Sequence, residues 1–253
     1  MARLSFLQNP RNSIFLITIA AGVVYSSWPL GYWLNPVASR GLASNLEASR
    51  QPYNWLFISL DILSGSLICL ASWWLYRIVR RAHIPLLIYT LFGFAAFGLL
   101  TAVDAMLPLN CINVINRCGS VFDDPWYVFH GIASIGSIVG LTVSIVCLWW
   151  LLARDKSTSR YLRWFLHSTI AIWAGFSIVT LALILLARSS NLSQHIFITV
   201  CTLWTAFLPL LVYQAMELEG LISTNHGTVK DMSSSSARAA KRSKPKTTSV
   251  SKS

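Results

Sequence analysis

Four ionisable residues stand inside strongly apolar runs. Asp61 lies in "YNWLFISLDILSGSL", Asp104 in "LLTAVDAMLPLNC", His130 in "DPWYVFHGIASIGSIVG" and His195 in "NLSQHIFITVCTLW". A carboxylate facing hydrocarbon costs about 2.5–3.5 kcal/mol, so such groups turn inward, find partners and mark sites. The spacing agrees. Asn54, Asp61, Ser64, Gly65 and Ser72 fall on one helical stripe, His130, Ser134, Ser137 and Ser144 on a second, and His195, Thr199 and Thr202 on a third. Carboxylate, imidazole and hydroxyl groups gathered in this way can move protons, activate a nucleophile or hold a metal. Asp61 and Ser64 are the candidate catalytic residues, and Asn54, Ser134 and Thr199 the candidate substrate-binding residues. His130, His195 and Asp104 are the candidate metal ligands, with zinc the metal in view. The expected partnerships are Asp61 with His130 and Asp104 with His195.

These residues need a scaffold, and composition names it. Of 253 residues, 55% are hydrophobic and 11% charged, where soluble domains average about 25% charged. Six apolar runs, at 13–34, 54–76, 84–107, 126–152, 164–187 and 195–216, are long enough to cross a bilayer as helices. The expected fold is an all-α, polytopic transmembrane bundle of six helices. Residues 1–12 form a short N-terminal segment, 13–216 the membrane domain and 217–253 a tail. No Gly-rich phosphate loop or long soluble domain is evident, so nucleotide-driven chemistry is not a leading reading.

Charge sets the expected orientation. With the N-terminus inside, nine Lys and Arg residues flank the inner span ends and four (Arg40, Arg50, Arg117 and Arg188) the outer ones. Both termini are then cytoplasmic, and the chain is a multi-pass protein of the plasma, or inner, membrane. Alternation of the spans puts Asp61, Asp104, His130 and His195 toward the outer face. Tyr25, Trp28, Tyr32 and Trp33 at one end, and Trp73, Trp74, Tyr76, Trp149, Trp150 and Trp164 at the other, read as interfacial belts. The tail, "SSSSARAAKRSKPKTTSVSKS", is basic and too polar to bury a core, so disorder on the cytoplasmic side is expected. Expected partners are membrane lipids and an unidentified small-molecule or lipid substrate, not nucleic acid. Cys111 and Cys118 share the outer loop "PLNCINVINRCGSVFDDP", where a disulfide is expected. Cys69, Cys147 and Cys201 lie within spans.

The strings "YSSWPLGYWLNP", "QPYNWLFISLDILSGSL", "AVDAMLPLNC" and "FHGIASIGS" together resemble an uncharacterised bacterial membrane family, domain of unknown function 998. That resemblance spans roughly residues 13–216 and implies fold and membrane location, with no activity attached. The outer-end Ser, Asp and His set is also similar to that of ceramidase-like and progestin-receptor-like membrane hydrolases. Their last helix carries paired histidines, whereas Thr199 stands four residues after His195 here.

Three functions remain in view. One is a metal-dependent hydrolase of a lipid-like amide or ester. A second is a proton- or cation-coupled carrier or sensor built on Asp61. A third is a b-type haem electron-transfer protein, with His130 and His195 at the outer side and His83 and His167 at the inner side as axial ligands.

Overall fold

The computed structural model describes residues 10–107, 109–110, 125–185 and 191–219. The main helices are α1 (Pro10–Tyr25), α2 (Asn54–Val79), α3 (Pro85–Met106), α4 (Pro125–Arg154), α5 (Arg160–Leu185) and α6 (Asn191–Leu218). A 3₁₀ turn at Trp28–Leu30 and a short helical turn at Gly31–Leu34 prolong the first span to Leu34. Six spans long and apolar enough to cross a membrane are present, and no strand occurs among the described residues. Helix ends match the sequence expectation to within about one turn. Cys111 and Cys118, and the tail beyond Glu219, lie outside the described residues.

Apolar composition makes these helices; packing decides their order. α3 packs lengthwise against both α2 and α4, while α1 packs against α2 and α6. α5 is the least enclosed, with 11% of its most apolar window buried against 50% for α3 and α6. Glycines allow the tightest contacts. A Cβ on Gly65 would collide with the Gly98 carbonyl oxygen, and one on Gly98 would lie 2.6 Å from Ile68 Cγ2. Gly93 and Gly140 make the same backbone-to-backbone approach between α3 and α4, with carbonyl oxygens at 2.5 and 2.9 Å from the added Cβ atoms. In a membrane, where no hydrophobic force drives helices together, such close approach supplies the packing energy.

The two ends of the bundle differ. At one end arginines lie over aromatic rings: Arg11 on Tyr213 at 5.1 Å, Arg77 on Trp73 at 5.1 Å and Arg154 on Trp150 at 4.9 Å. Arg11 also pairs with Glu217 at 3.8 Å. The opposite end is capped by the chain between the first two spans. Ala38, Leu46, Ala48, Phe57 and Leu109 form a small apolar core under it, with Trp28, Leu34 and Tyr127 alongside. Polar clamps fix this cap. The Ala43 amide donates to Gln194 Oε1 on α6 at 2.7 Å, the Ser49 amide to the Leu109 carbonyl at 2.7 Å, and Asn35 Nδ2 to Gln51 Oε1 at 3.0 Å. Where the cap turns into α2, Arg50 and Tyr53 hold left-handed φ values of 68° and 63°. That conformation is costly for residues with a Cβ, and the clamps on either side maintain it.

Candidate functional site

Beneath the cap lies a half-open cavity of about 120 Å³, room for several waters. Each wall comes from a different element. The first span supplies Tyr25 and Trp28, the cap Ser44 and Glu47, α2 Asp61, α3 Asp104, α4 Ser134 and Ser137, and α6 Gln194 and Phe197. Three carboxyl groups thus share one small space at one end of a membrane bundle.

Glu47 is the residue sequence reasoning missed. Its side chain lines the same cavity as that of Asp61. Burial, then the charge of Asp61, pushes the Glu47 carboxyl well above the ordinary glutamate range. Two carboxyls on one small space cannot both ionise cheaply. The expected Asp61–His130 pairing is therefore corrected. α3 packs between α2 and α4, so the carboxylate reached by His130 is on α3.

That carboxylate is Asp104. His130 Nδ1 lies 3.1 Å from Asp104 Oδ1 and 3.2 Å from the Asp104 carbonyl oxygen. Ser134, one helical turn on, donates to Asp104 Oδ2 at 2.7 Å. The order is hydroxyl, carboxylate, imidazole. A nucleophilic triad needs the imidazole in the middle, touching the hydroxyl; here the carboxylate stands between them.

His195 does not partner Asp104. Its ring stacks on Trp28, centroids 3.9 Å apart and planes 8° from parallel, with Tyr32 edge-on at 6.1 Å. The indole Nε1–H of Trp28 is buried and has no partner among the described residues. The three ligands expected for zinc are thus not gathered: His130 and Asp104 pair, and His195 sits behind Trp28. No three of His, Cys, Asp and Glu among the described residues are placed to hold a metal. Of the four histidines considered as haem ligands, neither His130 nor His195 lines the cavity. His83 is exposed, and His167 Nδ1 accepts from Trp149 Nε1 at 3.0 Å.

The remaining expected site residues divide. Ser134 lines the cavity. Ser64 is fully buried and donates to the Ala21 carbonyl on α1 at 2.9 Å, which makes it a helix-packing bond rather than a nucleophile. Thr199 is exposed and donates back to the His195 carbonyl at 2.9 Å. Asn54 Oδ1 accepts from the Trp55 amide at 2.8 Å at the start of α2, outside the cavity lining.

Fold and site together define a polytopic helical membrane protein with a capped, acidic cavity at one end of its bundle. A family model described as protein of unknown function DUF998 matches residues 18–213, most of the chain, and the chain belongs to that family. No curated protein and no solved structure matches it, so the similarity to ceramidase-like hydrolases gains no support.

Proposed function

We propose that this protein is a proton- or cation-coupled carrier or sensor of the plasma membrane, its acidic cavity opening outward. The observation that carries the reading is the Glu47–Asp61 carboxyl pair in the cavity wall, with Asp104 as a third acid on the same space. A proton retained by such a pair is a replaceable cation. A ligand of positive charge entering the cavity favours the doubly ionised pair and expels the proton. Intramembrane acids of this kind serve proton and ion pathways in general. The outward direction follows from the charge count, nine basic residues flanking one set of span ends and four the other. The hydrolase alternative is weakened by the carboxylate-centred order of Ser134, Asp104 and His130.

The test is proton release. Weakly buffered, full-length protein in nanodiscs is titrated with sodium, potassium, calcium and ammonium salts while a pH dye reports the medium. Protons should appear as one of these cations saturates, and Glu47→Gln should abolish their release. No release with any of the four salts, at any pH where carboxyls titrate, overturns the proposal.

A further inference from the structure

We propose that the ligand class is a small protonated amine, held by Glu47, Asp61 and Asp104 against the rings of Tyr25, Trp28 and Phe197. The inference rests on the cation reading above and names its ligand. Three observations point to an organic ammonium rather than a metal ion.

The carboxyls arrive from the cap, α2 and α3, and no three donors among the described residues gather as a metal set. Calcium takes roughly six to eight oxygens at about 2.3–2.6 Å, and magnesium a near-octahedral shell. Acids distributed around a wall instead suit a cation whose charge is spread over N–H and C–H groups.

The rings are the second observation, and each is backed by another ring. Trp28 lies on His195 at 3.9 Å, Tyr25 meets Phe97 edge-on at 5.5 Å, and Phe197 packs on Trp173 at 4.5 Å. Aromatic walls fixed in advance attract an alkylammonium through their π faces and cover its carbon atoms. Those walls supply no oxygen ligands to replace the water a metal ion loses.

Size is the third. Drug-sized ligands occupy pockets of roughly 300–1,000 Å³, and this cavity measures about 120 Å³. It fits an amine of only a few heavy atoms.

The experiment uses full-length protein in nanodiscs of uncharged lipid, with methylammonium chloride as probe and sodium and calcium chlorides as rivals at constant ionic strength. Calorimetry reads binding, and a pH dye reads proton release. Methylammonium should bind more tightly than either metal ion and displace the proton. Phe197→Leu should weaken methylammonium on the order of fivefold, leaving sodium and calcium unchanged, while Phe197→Tyr should bind like the natural protein. If Phe197→Leu fails to fold, Tyr25→Leu takes its place. Proton displacement by sodium or calcium but not by methylammonium sinks the amine assignment and leaves the cation reading standing. Equal methylammonium binding with and without the ring also sinks the assignment. If no cation displaces the proton, both readings fall.

Discussion

Asp104 and His130 meet across the α3–α4 interface with 3.1 Å between Oδ1 and Nδ1. The second oxygen of Asp104 accepts from Ser134 at 2.7 Å, while Oδ1 is buried without a hydrogen bond, the His130 ring nitrogen bonding the Asp104 backbone carbonyl instead. Asp104→Asn removes the charge and turns one acceptor into a donor. It should cost about 1–3 kcal/mol, and Ser134→Ala about 1 kcal/mol. The two should couple, the double variant losing less than the separate losses added. Denaturant unfolding in mild detergent measures all three; simple additivity would separate Ser134 from Asp104.

Glu47 predicts a pH dependence of stability. Its carboxyl is pushed up in the folded protein, by burial first and by Asp61 next. The folded chain therefore keeps a proton at pH values where an unfolded glutamate has lost it. This contribution is fully present below the ordinary glutamate pKa of about 4.3. It declines as pH rises from there through the raised value. The thermal midpoint should fall over that rise in the natural protein, and Glu47→Gln should flatten the fall. A midpoint equally pH-dependent in both would show that the pair does not hold the proton.

The glycine contacts predict a contrast between positions of one residue type. Gly65→Ala and Gly98→Ala drive a methyl group into a neighbouring backbone or into Ile68, and each should cost about 1–3 kcal/mol. Gly131→Ala and Gly175→Ala meet nothing within 4 Å. Each should be neutral or stabilising by up to about 1 kcal/mol, the helix-propensity gain of alanine over glycine. Thermal midpoints of the four variants decide it; a cost at all four would point to backbone propensity instead of contact.

The charge distribution predicts topology. If the nine basic residues at one set of span ends mark the inner side, protease added outside sealed cells should leave an epitope in the tail after Glu219 intact. The same orientation would put the loop of Cys111 and Cys118, which lie outside the described residues, on the oxidising side, and the disulfide expected from the sequence would then appear in non-reducing peptide maps. Clipping of the epitope would reverse the orientation and remove the basis for the disulfide.

Hydropathy and period carried the spans and the level of the ionisable groups, because a bilayer punishes any other arrangement of so apolar a chain. Asp104, His130 and Ser134 stood at one height in the sequence and meet in the fold. Neighbour order is a different kind of information. Periodicity tells which face of α2 is polar but not that α3 lies between it and α4, so Asp61 was matched to His130 instead of Glu47. Glu47 sits in irregular chain, held by clamps to Leu109 and Gln194 that are distant in sequence. Its one local signal was its isolation: it is the only acidic residue between the first two spans. Ser64 misled for another reason, since a small hydroxyl on a membrane helix serves a packing bond as readily as a cavity.

Where backbones touch at Gly65–Gly98 and Gly93–Gly140, rolling or sliding one helix over the next drives a carbonyl oxygen into the facing chain. α2, α3 and α4 must therefore move as one slab, with Asp61, Asp104 and Ser134 at fixed separations. Tyr25 and Trp28, with Phe197, stand on the first span and α6, which are joined by Gly22 against Thr202 and by the 2.9 Å Ser26–Thr202 hydroxyl contact. The Ser64–Ala21 bond, the Tyr25–Phe97 ring contact and the Trp204–Ser144 hydrogen bond tie that wall back to α2, α3 and α4. The anionic wall of the cavity therefore rests on a frame of touching backbones that holds the spacing of its charges, whatever occupies the space between them.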